Sequence, residues 1–334
     1  MILPSGNEDL FKLFVLERSS RFVGCLSFEE RSIHVPLIFS NSGSCGPLWL
    51  LRVDDPKDAF PSYADTITTK CAVHRKRLTD ARVKFNEHIV DLLATEDQLL
   101  DILFNVRNSL NGISSIVLDI TSLPKRVFCF LLKRMLKSEW CQDLLVTYTA
   151  AESVGYAKDH LSTDALPCDH LPGMAGRTPL GKGALVVSLG FEELNIRSIM
   201  EQYHGRKDTR FIMSFPTAPV VERRQWAMLR QLLPPEHSIN LGRNLQPISG
   251  WDAELVYMTL CRWKCENPEI VLAPFGIKTH TLGMALFAIE NNFGMYYTQP
   301  KSYNPSYTEG SGAMYSYILK WRGKVAYERS FKYP

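Results

Sequence analysis

Short apolar runs alternate with longer stretches of helical periodicity along nearly the whole chain. In the first part, the runs Arg21 to Leu26, Leu48 to Val53, Ile116 to Ile120 and Leu144 to Thr147 read as strands. Residues Ala64 to Asp80, Glu96 to Ser109 and Lys125 to Lys137 carry apolar positions three and four apart and read as helices. The second part repeats this alternation. Its strands are Leu185 to Leu189, Arg210 to Met213, Ile270 to Ala273 and Gly294 to Thr298. Its helices are Glu193 to Tyr203, Val221 to Leu233, Asp252 to Cys265 and Thr281 to Asn291. Near-continuous apolar strands between helices predict mostly parallel sheets covered on both faces, an α/β class of Rossmann type. A tail of two further strands, Tyr315 to Trp321 and Lys324 to Arg329, is joined at Arg322-Gly323 and predicts an edge hairpin.

The two parts also resemble each other in detail. Val23-Gly-Cys-Leu-Ser-Phe-Glu-Glu30 matches Val186-Val-Ser-Leu-Gly-Phe-Glu-Glu193. Phe60-Pro61 matches Phe215-Pro216, and the helix from Asp97 to Arg107 matches that from Asp252 to Arg262. Ile116-Val-Leu118 before Lys125 matches Ile270-Val-Leu272 before Lys278, and Val146-Thr-Tyr-Thr149 matches Tyr296-Tyr-Thr298. The offset narrows from 163 to 149 residues with the order kept, as expected of an internal duplication. Between the parts, Pro167, Pro172, Gly173, Gly176, Pro179, Gly181 and Gly183 predict a linker without regular structure. The expected domains are therefore residues 1–158, a linker at 159–183, and residues 184–334 including the hairpin.

Composition narrows the classes little. The 334 residues are 45% hydrophobic and 22% charged, with 38 basic and 35 acidic residues and a net charge of +3. Such a balance builds no global field for a nucleic-acid or membrane surface, so an anionic ligand requires a local site. No apolar run approaches the roughly 20 residues of a membrane span. The opening Met1-Ile2-Leu3-Pro4 lacks a basic signal region, so a cytoplasmic chain without a membrane is expected. Eight cysteines include no CxxC pair, which favours reduced thiols over a metal site. No GxSxG, HExxH, GxxxxGK[ST] or GxGxxG signature occurs.

Chemistry is therefore sought in the loops beyond the strand ends. The first runs from Ser27 and Phe28 through Glu29 and Glu30 to Ser32, and its counterpart holds Phe191, Glu192 and Glu193. These glutamates are candidates for general bases, for ribose-hydroxyl acceptors or for charges placed at a helix start. The phenylalanines either stack on a base or belong to the core. The second loop, Asp119-Ile-Thr121-Ser122-Leu-Pro-Lys125-Arg126, ends a strand and opens a helix. Thr121 or Ser122 is placed to cap that helix, and the helix start with Lys125 and Arg126 suits a phosphate. Its counterpart contains Gly276, Lys278 and Thr279. Lysines at helix starts are rarely buried, so both are expected at the surface. A late loop carrying Tyr303 offers either a ligand edge or a rigid turn.

Asp119-x-Thr121-x-x-x-Lys125 resembles the D-x-[ST]-x-x-x-[RK] motif of CARF domains, the CRISPR-associated Rossmann folds that bind cyclic oligonucleotides across a dimer interface. Two such halves in one chain resemble the SAVED variant, a pseudo-dimer of bacterial defence. The resemblance implies ligand contacts at Ser27, Thr121 and Lys125, with Lys278 as counterpart. The second copy departs from the motif, with Pro274-Phe275-Gly276 in place of Asp-Ile-Thr. The expected function is a nucleotide-sensing module of antiviral defence that acts through a separate effector protein. It needs no cofactor and no metal, and homo-oligomerisation is left open. A nucleotide-degrading enzyme of ring-nuclease type and a ligand-free structural subunit are the alternatives, and no catalytic residue is assigned.

Overall fold

The computed structural model describes residues 8–42, 46–56, 61–152, 162–177, 183–190, 196–202, 208–232 and 243–327. The chain divides into two compact units. One is Met1–Gly155 together with Asn304–Pro334, and the other is Tyr156–Tyr303. Both are α/β, as the alternating pattern predicts.

The first unit begins with helix α1 (Glu8–Glu17), strand β1 (Ser20–Cys25), a 3-10 turn (Glu30–Ile33) and α2 (His34–Asn41). It continues with β2 (Leu48–Asp54), α3 (Pro61–Asp80), β3 (Phe85–Asp91), α4 (Glu96–Ser109), β4 (Ser115–Asp119), α5 (Lys125–Lys137) and β5 (Asp143–Thr149). Strands β3, β2, β1, β4 and β5 lie side by side in that order, all parallel. β4 and β5 are buried at every position. Phe22 of β1 meets Phe39 of α2 at 5.4 Å between ring centres, and Phe39 meets Phe11 of α1 at 6.2 Å. Burying each such ring is worth about 1.5–3 kcal/mol. α4 starts at a capping box, in which the Thr95 hydroxyl accepts from Gln98 N and the Gln98 amide oxygen accepts from Thr95 N.

The second unit runs β6 (Ser162–Ala165), β7 (Asp169–His170), β8 (Ala184–Ser188), α6 (Ile196–Gln202), β9 (Thr209–Ser214), α7 (Pro219–Leu232) and β10 (Leu245–Ile248). It ends with α8 (Ala253–Glu266), β11 (Ile270–Pro274), α9 (Lys278–Asn291), β12 (Tyr296–Tyr297) and β13 (Pro300–Tyr303). Its parallel sheet has the order β10-β9-β8-β11, and a parallel bridge from Leu272 to Met295 leads into β12 beside β11. The order β10-β9-β8-β11 is that of β3-β2-β1-β4 in the first unit. Val117 and Val271 thus occupy corresponding strands, and Lys125 and Lys278 each open the helix that follows. α9 is buried from Thr279 to Ile289, as expected for a helix with little amphipathic contrast.

Two expectations about boundaries are corrected. The tail belongs to the first unit, not the second. β14 (Met314–Trp321) runs antiparallel to β5, from Met314 opposite Thr149 to Lys320 opposite Leu144, and β15 (Lys324–Val325) turns back on it. β5 would otherwise be an unpaired edge, and the added strand satisfies its ladder. The linker expected at 159–183 is in part regular: β6 pairs with β13 and β7 with β12, both antiparallel within the second unit. Proline and glycine flank these pairings without interrupting them. Among the described elements, β3, β10, α1 and α2 are not expected from the sequence. β3 is an exposed edge strand whose Phe-Asn-Glu-His-Ile-Val-Asp gives no alternation, and β10 carries Pro247 at a sheet edge, where proline is tolerated. α1 is a short helix of mixed polarity.

Candidate functional site

At the C-terminal end of β4 in the first unit, the Asp119 carboxylate turns inward. It is 1% exposed. Its Oδ1 accepts from the Thr121 backbone N–H at 3.3 Å, from the Thr121 hydroxyl at 2.5 Å and from the Thr147 hydroxyl at 3.2 Å. The Thr121 hydroxyl in turn accepts from the Thr149 backbone N–H at 2.9 Å. The D-x-T turn is thus a closed hydrogen-bonded knot that ties the ends of β4 and β5. Neither Thr121 nor Ser122 caps α5: Pro124 stands at the cap position, with no side-chain bond to the helix. That leaves the Ser122 hydroxyl buried without a partner beside the α5 N-terminus, and the Thr149 hydroxyl is likewise buried and unpartnered at the end of β5. Natural structures leave few such groups, and each calls for a cause such as a water or a ligand.

Lys125, expected at the surface, is 8% exposed. It starts α5 one turn from Cys129, whose thiol is pushed far up by burial and drawn back by the Lys125 charge. Arg126 points away from this place. Its Nε and Nη2 donate to the Ala94 carbonyl at 3.2 and 3.1 Å, fastening α5 to the loop before α4. The basic pair of the sequence therefore separates into an inward lysine and a structural arginine.

The loop after β1 joins the same end of the sheet. Ser27 is half-buried. Its carbonyl accepts from the Nδ1–H of His74 at 2.8 Å, and its hydroxyl accepts from Glu29 N at 3.4 Å. His74 is held below the usual imidazole range by burial, countered by that backbone bond. Phe28 is half-buried and packs edge-on against Tyr307 at 6.1 Å, neither in the core nor stacked on an open face. Glu29 does not serve the following 3-10 turn as a cap. Its Oε2 sits 2.5 Å from Nη2 of Arg31, and both side chains are buried. Glu30 pairs with Arg77 on the surface at 2.9 Å. Arg31 escaped the sequence reading because it lies inside a loop singled out for its glutamates.

In the second unit the corresponding edge holds a buried imidazole. His280, the third residue of α9, is fully buried. Nε2 donates to the Ser249 carbonyl at 3.0 Å, and Nδ1 lies 3.5 Å from Ser188 Oγ and 3.4 Å from Ser214 Oγ. One side chain thereby ties the ends of β8, β9 and β10. The Thr279 hydroxyl donates to the Gly250 carbonyl. Gly276 must be glycine, because a Cβ there would fall 2.0 Å from Ser188 Oγ. Lys278 is half-buried at the start of α9. Tyr303 ends β13, and its hydroxyl accepts from Gln299 Nε2 at 3.2 Å, so it is part of a small sheet. Phe191 and Glu192 lie outside the described residues.

Among the described residues no group of histidine, cysteine and acidic side chains could hold a metal ion. No described helix is long and apolar enough to cross a membrane. No family model matches the chain, and no curated protein matches it. Among solved structures, the chain is similar to the cytoplasmic domain of a prokaryotic cation chloride cotransporter, at 8% identity over 85% of this chain and 96% of that one. The TM-score is 0.25, too loose a superposition to assign a fold or a function.

Proposed function

We propose that this chain is a nucleotide-sensing module, binding a phosphate-bearing ligand of cyclic-oligonucleotide type at the end of β4 and β5 in the first unit and acting through a separate effector protein of a prokaryotic defence system in the cytoplasm. The observation that carries the reading is the pair of buried, unpartnered hydroxyls, Ser122 and Thr149, beside an α5 N-terminus that has no side-chain cap. Helix N–H groups, two free hydroxyls and a lysine at the first helical position are donors, which is what phosphoryl oxygens need. The likeness of Asp119-x-Thr121-x-x-x-Lys125 to the CARF motif supports the same place. Within it, Asp119 and Thr121 hold the turn and Lys125, Ser122 and Thr149 meet the ligand. Duplication of one half would account for the shared strand order of the two units.

Calorimetry of the full chain with cyclic di- and trinucleotides tests this. Lys125→Ala weakens binding by about one to two orders of magnitude, the loss of one charge-assisted bond. Thr149→Val gives an opposite pair of effects. It removes a buried hydroxyl that has no partner, so the free protein becomes more stable while binding weakens. Absence of binding to every cyclic nucleotide would overturn the reading, and cleavage of the ligand would recast the site as that of a nuclease.

A further inference from the structure

The first unit buries an arginine where an open α/β sheet receives its ligand. Arg31 is 4% exposed. Its Nε and Nη2 both point at one oxygen, Oε2 of Glu29, at 2.7 and 2.5 Å. Its Nη1 faces the end of β5, donating to the Tyr148 hydroxyl at 3.0 Å and the Thr149 carbonyl at 3.1 Å, with its guanidinium 5.5 Å from the Tyr148 ring centre. Arg31 therefore adjoins the residue whose hydroxyl is buried without a partner. A desolvated ion pair gains little net stability over an apolar pair of the same shape. A planar guanidinium fork held rigid at this edge is well matched to phosphoryl oxygens.

A strap crosses the Glu29–Arg31 pair. It is the segment 304–313, which leads into β14. Lys70 of α3 donates to the Pro305 carbonyl at 2.5 Å, Tyr307 packs on Phe28, and the Thr308 hydroxyl donates to the same Glu29 Oε2 at 3.3 Å. Gly312 N donates to the Ala150 carbonyl at 2.9 Å. Apart from Pro305 and Tyr307 the strap is made of polar, glycine and alanine residues, and few apolar contacts mean a low cost of local opening. Gly310 sits at φ +68°, where an L side chain is strained, and a Cβ there would fall 2.5 Å from the Glu152 side chain. It is a pivot that only glycine fits.

We propose that Glu29 is an internal stand-in for the ligand: a phosphoryl group takes its place on Arg31 when the strap, fastened to Glu29 through Thr308, lifts. The inference rests on the reading of this site as one for a phosphate-bearing ligand and adds its regulation, a masked state that the ligand must displace. If the masked state outweighs the open one by about tenfold, the wild type binds about tenfold more weakly than an unmasked protein.

The test uses the full chain, inorganic pyrophosphate and a cyclic dinucleotide, read by calorimetry and thermal unfolding. Glu29→Gln leaves Arg31 buried without its full counter-charge, so the variant melts lower than wild type. It binds pyrophosphate about tenfold more tightly, and saturating pyrophosphate restores the lost melting temperature. Thr308→Val, which removes the strap's bond to Glu29 and spares the ion pair, moves affinity the same way by a smaller factor. Adding Arg31→Lys to Glu29→Gln abolishes the gain. Unchanged pyrophosphate affinity in both Glu29→Gln and Thr308→Val overturns the mask, as does a gain that survives Arg31→Lys. Cyclic-dinucleotide binding that is lost in Lys125→Ala but intact in Arg31→Lys also overturns the mask and leaves the ligand reading standing. Pyrophosphate binding through Arg31 with no nucleotide bound by any form supports the mask and overturns the nucleotide.

Discussion

Replacing Asp119 by alanine separates two roles for the D-x-T motif. As a ligand contact, the aspartate would matter to binding and little to folding. The structure places it instead as the shared acceptor of three donors, 1% exposed. Alanine removes the acceptor and keeps the donors. The two hydroxyls can rotate toward other oxygens, but the Thr121 N–H is fixed by the backbone, and a buried donor left unpaired costs about 1–3 kcal/mol. The short bond from the Thr121 hydroxyl to a charged oxygen adds about 1.5–3 kcal/mol. Thr121 also positions the Thr149 N–H, so the end of β5 loosens as well. The expected loss is about 3–5 kcal/mol, or roughly 6–20 °C in melting temperature at about 2–4 °C per kcal/mol for a unit of this size. Asp119→Asn keeps one acceptor oxygen and should lose less than half as much. Scanning calorimetry of both variants gives the stability, and ligand titration below the transition gives the affinity of the folded fraction. Asp119→Ala within about 0.5 kcal/mol of wild type, with binding abolished, would refute the argument and return Asp119 to the ligand.

Further outcomes follow from other buried groups. His280→Ala leaves a cavity and strands the Ser249 carbonyl and two serine hydroxyls, so urea unfolding should show a loss of about 3–5 kcal/mol; a loss below about 1 kcal/mol would deny its role in tying three strands. Burial, then the charges of Asp54 and Asp91, raise Asp55 to about 6 from 3.8. The folded chain keeps this proton between about pH 4 and pH 6 while the unfolded chain has released it, so stability falls as pH rises through that window. Asp55→Asn should therefore stabilise by up to about 3 kcal/mol at pH 7.5 and leave pH 3.5 unchanged, and equal effects at both would contradict it. Among the described cysteines, Cys265 is exposed and should react first with a thiol reagent. Cys71 and Cys141, pushed up by burial to about 11 and about 12, should react only on unfolding.

The chain's periodicity carried most of the architecture, for a physical reason. Strands β4, β5, β8 and β11 are buried on both faces and so must be apolar throughout, while α4 and α5 keep their predicted bounds because their ends are marked by Thr95 and Pro124. Edge strands carry no such constraint. β3 exposes Ile89 and β10 contains a proline, so neither announces itself. Which sheet the tail would join was also illegible. The run from Tyr315 to Trp321 reads as a strand, but nothing in it says which edge it will complete.

The site divides along the same line between local and distant determinants. Asp119, Thr121 and Lys125 are recognisable because seven consecutive residues hold them, and what seven residues can encode is a turn. That is what the structure makes of the first two: their polar atoms bind each other and the neighbouring strand. The groups that the masking proposal joins are assembled from far apart, with Arg31 after β1, Thr149 at the end of β5 and Thr308 in the returning strap. No spacing rule links positions 31, 149 and 308. Only the parallel order of β1, β4 and β5, and the addition of β14 beyond them, brings their loops to one end of one sheet. A substitution at Arg31 should accordingly be felt at Glu29 and at the strap before it is felt at the motif, because the hydrogen bonds run in that order. A motif search would rank Lys125 first and Arg31 nowhere; the burial of a charge at the mouth of a parallel sheet puts both in the same place.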